Sequence, residues 1–276
     1  MLAAFVITLR EGLEIALVVG IVLGYLAKVA RREQSLYAWM GVIAASVASA
    51  MLAIGMRVFG AELEEPSEQI FEGTTMLLAV AVLTWMVFWM RSQARFFQAR
   101  LEQQIQVAVT RQQNWGLFAL TFIAVFREGV ETALFLAANA FAADAGQTLV
   151  GALLGLAVAS AAGALIYASA RRVNLRLFFD ITSVFILLFA AGLLAHAVHE
   201  FQEIGWLPIL TAMAWDTRWL LTNQSFVGSL LRSLVGYNAQ PSLLEVASYA
   251  GYWLIVLQAI RWWTQKLSAH PAAEHA

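Results

Sequence analysis

The feature that most constrains the fold of this chain is a group of charges inside an apolar stretch. Residues Leu2–Leu26 are largely apolar, yet they contain the sequence Arg-Glu-Gly-Leu-Glu at Arg10–Glu14. In a helix of about 3.6 residues per turn, the three charged side chains point within roughly 100° of one another. Arg10 would lie roughly 12 Å along such a helix, close to the middle of a bilayer. These charges must therefore face protein or water and not lipid.

The same pattern occurs again at Arg127–Glu131, where Arg-Glu-Gly-Val-Glu lies inside the apolar run Leu117–Ala143. A single copy is explained equally well as an ion pair that locks two helices together. Two copies at the same depth favour a functional pathway, because buried ion pairs stabilise poorly compared with packed apolar groups. Ionisable residues inside membrane helices also tend to mark pathways for ions or protons.

The composition indicates a protein that crosses the membrane several times. Of the 276 residues, 61% are hydrophobic and 13% are charged, whereas a soluble domain has roughly 25% charged residues. The chain has no cysteine, which excludes disulfides, thiolate metal sites and thiol nucleophiles. It has no ATP-binding loop, nucleophile elbow or zinc-protease signature, and nothing supports nucleic-acid binding. The N-terminus lacks a positive region, so we expect a first spanning helix and not a cleaved signal peptide.

We predict an all-α integral membrane protein with seven transmembrane helices. The predicted spans are Leu2–Leu26, Tyr37–Phe59, Gln69–Met90, Leu117–Ala143, Leu149–Ala170, Leu177–His199 and Val246–Trp263. Lys and Arg occur in the segments after the first, third, fifth and seventh spans and are absent directly after the second and fourth. By the positive-inside rule, the N-terminus lies outside and the C-terminus lies in the cytoplasm.

The two charged motifs predict a 3+3 inverted repeat, because the helix that carries the second copy runs opposite to the first. A short similarity between Ile70–Thr75 and Phe178–Ser183, in the third and sixth spans, supports this arrangement. Inverted repeats occur in secondary transporters, with the substrate site between the repeats near the midplane. The predicted divisions are a first repeat at residues 1–90, a second at 117–200 and a seventh helix at 246–263. Together they form a permease domain of residues 1–265, followed by a short cytoplasmic tail at 266–276.

Two connecting segments and two pairs of glycines carry further predictions. Ser92–Trp115 is long, amphipathic in places and rich in Arg and Gln, which predicts a helical extension or an interfacial helix. Gln202–Glu245, with several tryptophans, is predicted to be a partly ordered loop at the outer surface of the membrane. The glycine spacing at Gly20–Gly24 and at Gly151–Gly155 predicts close helix packing.

The two motifs together predict a cation site. Four glutamates and two arginines leave two net negative charges near mid-membrane. Carboxylate oxygens suit Fe³⁺, Mn²⁺, Ca²⁺ or Mg²⁺, and the absence of cysteine argues against a soft metal. The arginines would orient the carboxylates and balance part of their charge. The predicted metal ligands are Glu11, Glu14, Glu128 and Glu131, supported by Arg10 and Arg127.

Polar residues at the ends of the third and sixth spans are candidates for an entrance or a relay. An acidic cluster before the third span could concentrate cations by electrostatic steering, or it could be solvated surface. Carboxylates early in the third and sixth helices could act as gates, or could simply favour the helix dipole. Histidines and glutamates on one face at the end of the sixth span could ligate a transition metal, or could simply finish the helix. These candidates are Glu62, Glu64, Glu65, Glu68, Glu72, Asp180, His196, His199, Glu200 and Glu203.

The paired Arg-Glu-Gly-x-Glu motifs in the first and fourth of seven spans closely resemble the oxidase-dependent iron permease family. That family, also called the iron/lead transporter family, includes fungal high-affinity iron permeases and bacterial EfeU-type iron permeases. The resemblance covers residues 1–265, and both motifs match at every defined position. It implies that the chain is a permease and not an enzyme. Such a permease would carry iron inward across the bacterial cytoplasmic membrane along Glu11, Glu14, Glu128 and Glu131.

The resemblance also implies how the iron arrives. In that family a partner oxidises Fe²⁺ and passes Fe³⁺ to the permease, so iron is the transported substrate and no tightly bound cofactor is expected. The implied partners are a periplasmic cupredoxin-type or iron-binding protein and a haem peroxidase, and the chain itself has no haem or copper signature. The sequence does not determine the oligomeric state, and a homo-oligomer is compatible with it.

Two other interpretations fit the residues. The same carboxylates could serve a proton-coupled transporter or an exchanger of another divalent cation such as Mn²⁺ or Ca²⁺. An intramembrane enzyme or a non-transporting metal sensor is the third interpretation, although the sequence shows neither a catalytic constellation nor a signalling domain.

Overall fold

The computed structural model describes residues 1–93, 103, 105–106, 114–169, 175–223 and 225–269. These residues form α-helices of different lengths, one short 3₁₀ helix at Arg32–Gln34 and the segments that connect them. Within the described ranges, the backbone pairs in β fashion at one isolated antiparallel bridge, between Met213 and Ser242. The helices are α1 (Leu2–Lys28), α2 (Ser35–Ala61), α3 (Ser67–Gln93), α4 (Asn114–Ala142), α5 (Ala145–Ser169), α6 (Leu175–Glu203), α7 (Phe226–Val235) and α8 (Leu243–Ala269).

Five helical segments are long and apolar enough to cross a membrane, which agrees with an all-α integral membrane protein. They are Arg32–Ala61, Ser67–Met90, Ala145–Leu165, Leu177–Glu203 and Leu243–Trp262. The two remaining long helices, α1 and α4, have 27 and 29 residues and carry the two charged motifs. Their length is sufficient for a span of about 20 residues, and their charges explain why apolarity alone does not select them.

Small residues let the helices pack closely in pairs. Helix α1 packs against α5, α4 against α2 and α3 against α6, while α1 and α4 contact each other. A Cβ on Gly151 or Gly155 of α5 would collide with the backbone of α1, so the predicted close packing of this pair is confirmed. At Gly20 and Gly24 a Cβ would meet nothing within 4 Å among the described residues, so close packing at this pair stays a prediction.

The outer helices present large apolar side chains to their surroundings. Ile43 and Met51 on α2, Leu153 on α5 and Ile255 on α8 are each more than half exposed. The apolar core lies instead among α3, α4 and α6, where Phe135 is fully buried. This arrangement is expected when the solvent around the protein is lipid, because apolar side chains then lose nothing by facing outward.

The segment between α6 and α8, predicted to be a partly ordered loop, contains the short helix α7. Ser225 caps its first turn, accepting a hydrogen bond from the backbone N–H of Gly228 at 3.0 Å. Gly236 ends the helix in the left-handed conformation at φ 70°, which glycine adopts readily. Before α7, Arg218 donates to exposed Asp216, and this hydrogen bond is the main reason that the Asp216 pKa is lowered to about 2.

Most of the predicted extension at Ser92–Trp115 and residues 270–276 of the predicted tail lie outside the described residues. Those parts of Ser92–Trp115 that the structure does describe are helical.

Candidate metal centre

The centre of the molecule brings carboxylates of both charged motifs together. Glu11 of α1 and Glu128 and Glu131 of α4 each offer a carboxylate oxygen, and these atoms lie within 4.8 Å of one another. All three side chains are buried, with exposures between 1% and 8%. In the described part of the chain, this is the one group of three or more His, Cys, Asp or Glu side chains so close together. The convergence of the motifs that the sequence suggests is therefore present in the fold.

Two motif glycines allow α1 and α4 to sit deep in the bundle. A Cβ on Gly12 would lie 2.7 Å from the Cβ of Ala159 on α5, and a Cβ on Gly129 would lie 2.6 Å from the Cβ of Ser49 on α2. Real Cβ atoms essentially never approach that closely. Glycine at the third motif position therefore brings each charged helix against its own apolar partner.

Each arginine of the motifs pairs with glutamates of its own helix. Arg10 is completely buried, and its Nη1 and Nη2 lie 3.0 Å from Glu11 Oε1 and 3.1 Å from Glu14 Oε1. The Arg127 Nε lies 3.0 Å from Glu131 Oε1 and 3.8 Å from Glu128 Oε1. These pairs hold the carboxylates in fixed orientations and neutralise part of their charge.

The second oxygen of each clustered carboxylate has no hydrogen-bond donor. The Oε2 atoms of Glu11, Glu128 and Glu131 are buried and have no partner within the described ranges. A buried carboxylate oxygen without a donor is costly, so such atoms normally find a donor or a metal ion. Three converging carboxylates, each with an oxygen of this kind, form a hard ligand set that suits a metal cation.

Glu14 differs from the other three predicted ligands. It lies outside the group of converging oxygens, and its Oε1 faces Arg10. The fold therefore gives three of the four predicted glutamates one common centre and places the fourth beside the buried arginine.

Helices α3 and α6 supply neighbours of the arginines that the sequence analysis missed. Arg10 Nη1 donates to Met86 Sδ at 3.0 Å, its Nη2 donates to Met90 Sδ, and its Cζ lies 5.9 Å from the Phe179 ring centroid. The Arg127 Cζ lies 4.4 Å from the Trp89 ring centroid. No sequence signal marks these residues, since Met, Trp and Phe are ordinary components of an apolar span.

The acidic candidates of the predicted entrance lie away from this centre. Glu65 and Glu203 line a surface pocket of about 370 Å³ together with Pro66, Gln69 and Ile204. Glu62 and Glu64, which precede Glu65 in the sequence, are exposed. Asp180, near the start of α6, is also exposed. The charged neighbours of half-buried Glu72 are Glu68, Glu200 and Arg57.

The two histidine candidates have partners other than a shared ion. His196 Nδ1 donates to the Gly192 carbonyl at 3.0 Å, and its Nε2 accepts from Arg232 Nε of α7 at 3.2 Å. His199 lies between two carboxylates, with Nδ1 3.0 Å from Glu245 Oε1 and Nε2 3.3 Å from Glu203 Oε1. These contacts connect α6 to α7 and α8.

Glu245 is a structural residue that the sequence analysis missed. Its Oε1 accepts from the Ser242 backbone N–H at 3.2 Å, and its own N–H donates to Ser242 Oγ at 3.1 Å. This is a capping box at the start of α8, and the sequence Ser-Leu-Leu-Glu was a signal for it.

Fold and site together define a multi-pass helical membrane protein with a centre suited to cations, the class to which metal permeases belong. The chain matches the Iron permease FTR1 family over residues 1–267. It is 39% identical over 262 residues to the ferrous iron permease EfeU of Escherichia coli O6:H1, covering 94% of this chain and 95% of the relative. It is 38% identical over 255 residues to the ferrous iron permease EfeU of Yersinia pestis, covering 91% and 90%. No solved structure matches the chain.

The chain therefore belongs to the iron permease FTR1 family, and the resemblance read from its two motifs is confirmed. It is a transporter and not an enzyme, and it is a multi-pass protein of the inner membrane.

Proposed function

We propose that this protein carries iron inward across the cytoplasmic membrane through a site formed by Glu11, Glu128 and Glu131. The observation that carries the proposal is the meeting of three buried carboxylates, each with an oxygen that lacks a donor in the described structure. Glu14 stays in the proposal as a neighbouring carboxylate. It leaves its ion pair with Arg10 and contacts the ion as the ion passes. Family membership supports iron as the substrate.

The proposed topology is seven spans, with the N-terminus outside and the C-terminus in the cytoplasm. The pairing of α1 with α5 and of α4 with α2 supports a 3+3 inverted repeat, since each charged helix packs on the second helix of the other half. The matching contacts of Gly12 and Gly129 support the same relation. In such an arrangement the site lies between the two halves, where alternating access to both sides is available.

The charge of the site bears on the oxidation state of the ion. With four carboxylates and two guanidinium groups, the net charge of two negatives is neutralised by Fe²⁺, whereas Fe³⁺ leaves a positive charge in a medium of low dielectric constant. The relatives are named ferrous iron permeases, which also supports Fe²⁺. We therefore propose Fe²⁺ as the ion in transit. The all-oxygen ligand set favours Fe³⁺ as the second candidate, delivered after oxidation by a partner.

Partner proteins would act on the outer side. The pocket lined by Glu65 and Glu203 and the adjoining acidic residues support a surface that receives cations from a periplasmic donor. A cupredoxin-type or iron-binding protein and a haem peroxidase are the partners that the family resemblance suggests.

The test is uptake of ⁵⁵Fe by the full chain in liposomes, with ascorbate present to keep iron ferrous. Glu11→Gln and Glu128→Gln should each reduce uptake by roughly tenfold or more, because losing about 1.4 kcal/mol of ion binding already gives a factor of ten. Glu33→Gln is the matched control, since that side chain is 79% exposed. Normal uptake by both core variants would rule out this site as the iron path. Repeating the assay with an oxidant decides between Fe²⁺ and Fe³⁺.

A transporter of another divalent cation is the competing function, because three carboxylates also suit Mn²⁺ and Ca²⁺. Competition in the same liposomes separates the two. Transport of Mn²⁺ or Ca²⁺ driven by a pH gradient, with no movement of iron, would favour the exchanger.

A further inference from the structure

One turn of α3 contacts both arginines of the charged motifs. Met86 and Met90 accept hydrogen bonds from Arg10, and the indole of Trp89 faces Arg127. Positions separated by three and four residues project from the same face of a helix. A single face of α3 therefore meets two guanidinium groups that belong to two different helices.

The contacts of Arg10 are strong on one side and weak on the other. Glu11 accepts a hydrogen bond from Arg10 at 3.0 Å, and the Glu14 carboxylate forms an ion pair with Arg10 at 3.1 Å. On the α3 side, the acceptors are thioether sulfurs, which are weak. The Phe179 ring of α6 lies 5.9 Å from the Arg10 Cζ. The Arg10 Nε has no hydrogen-bond partner in the described part of the structure. The methionines therefore enclose the guanidinium without competing with the carboxylates for it.

Arg127 has the same two-sided environment. Its Nε faces Glu131 at 3.0 Å, while its Cζ lies 4.4 Å from the ring centroid of Trp89. A cation at this distance from an indole face is attracted to the ring. Trp85 stacks on Trp89, with 5.8 Å between the ring centroids and the planes 26° apart. The Arg127 side chain is 35% exposed and so has room to change its conformation. Its contact with the indole favours the conformation in which it faces Glu131.

The positions of the arginines determine which carboxylate oxygens are available to an ion. Arg10 faces Oε1 of Glu11 and Arg127 faces Oε1 of Glu131, and in both glutamates Oε2 has no donor in the described ranges. A guanidinium can instead bind both oxygens of a carboxylate in a bidentate fork. An arginine that shifted into that geometry would occupy the oxygen that the ion needs.

We propose that Met86, Trp89 and Met90 of α3 are positioning residues of the iron site. They hold each arginine against a single oxygen of its glutamate, and this leaves the second oxygen open to the ion. Helix α3 supplies none of the converging carboxylates, so it acts on the site through the arginines. The inference rests on the proposed function of the glutamates.

The experiment measures the concentration dependence of ferrous uptake by the full chain in liposomes, giving KM and maximal rate separately. Trp89→Leu removes the π face, Trp89→Phe keeps a smaller one, and Trp85→Leu is the matched control from the same stack. We expect Trp89→Leu to raise KM by about tenfold, Trp89→Phe by less than about threefold, and Trp85→Leu to leave it unchanged. The maximal rate should change little in all three, because the carboxylates remain.

A second pair of variants avoids a large change of volume. Met86→Leu and Met90→Leu together remove both sulfurs and keep a side chain of similar size. We expect this double variant to raise KM by about threefold or more. The proposal would be overturned if Trp89→Leu and the methionine double variant both had the same KM as the wild-type protein. Equal impairment by Trp85→Leu and Trp89→Leu would also overturn it, since packing of α3 would then be the cause.

The controls separate this inference from the proposed function. If Glu128→Gln transports iron normally, the glutamate path itself is wrong. If Glu128→Gln is inactive while the α3 variants match wild type, only the positioning role is wrong. Protection against thermal unfolding by added Mn²⁺ gives a reading independent of transport. Trp89→Leu should need about tenfold more Mn²⁺ than wild type for the same protection.

Discussion

Gly12 of α1 lies so close to Ala159 of α5 that a Cβ at residue 12 would come within 2.7 Å of the Ala159 Cβ. Gly129 of α4 stands in the same relation to Ser49 of α2. The glycine inside each charged motif is thus a packing residue, and it lies directly beside the residues proposed to bind iron. A larger side chain there would move the helix that carries the carboxylates.

Gly12→Ala should therefore destabilise the protein by about 1–3 kcal/mol, the usual cost of overpacking, and lower iron uptake. The double variant Gly12→Ala with Ala159→Gly should recover most of both losses, because the second change removes the atom that collides. Thermal unfolding in detergent and ⁵⁵Fe uptake in liposomes measure the two effects. Gly20→Ala is the control, since a Cβ at residue 20 meets nothing within 4 Å among the described residues. No recovery in the double variant would contradict the packing explanation.

Arg10 is completely buried and is the close counter-charge of Glu11 and Glu14. Arg10→Leu should destabilise the protein by about 3–5 kcal/mol, because it leaves buried carboxylates without their cation. Chemical or thermal unfolding measures this loss. The exposed pair Arg31 and Glu33, at 3.9 Å, provides the comparison, and Arg31→Gln should cost less than about 1 kcal/mol. Similar losses in the two variants would mean that Arg10 is solvated in the protein.

The three converging carboxylates should bind a divalent cation in the absence of transport. Added Mn²⁺ should raise the unfolding temperature of the wild-type protein, by an amount equivalent to about 2.7 kcal/mol at one hundred times its dissociation constant. Glu11→Gln and Glu131→Gln should each abolish most of this stabilisation, since each removes one oxygen ligand of the group. Glu33→Gln should retain it. A full effect in Glu11→Gln would place the bound ion elsewhere.

The sequence was sufficient for the long helices and for the meeting of the two motifs. Apolar length sets where a membrane helix begins and ends, and the predicted first span, Leu2–Leu26, differs from α1 by two residues at its end. The spacing of Arg10, Glu11 and Glu14 places them on one face regardless of what surrounds them. The duplication then predicts a common centre, since the two motifs are expected at the same depth in helices that run in opposite directions.

The sequence was not sufficient for details that depend on helix rotation and on neighbours. Adjacent positions on a helix are about 100° apart, so a modest rotation decides whether Glu14 faces the ion or Arg10. The contacts of Met86 and Trp89 depend on how α3 lies across the two motifs, and apolar residues carry no mark of that. Helix α7 was not predicted, although the cap residues Ser225 and Gly236 at its two ends were a signal for it.

His199 provides a test between a structural role and a metal role at the C-terminal end of α6. Its Nδ1 lies 3.0 Å from Glu245, which also caps the start of α8. His199→Ala should therefore destabilise the protein by about 1.5–3 kcal/mol, the usual worth of a hydrogen bond to a charged group. It should leave the KM for iron unchanged, because the converging glutamates are untouched. Glu203→Gln is the control, since that carboxylate lies 3.3 Å from the same imidazole and is 55% exposed. Its effect on stability should stay below about 1 kcal/mol. A raised KM in His199→Ala with unchanged stability would assign the imidazole to the path of the ion instead.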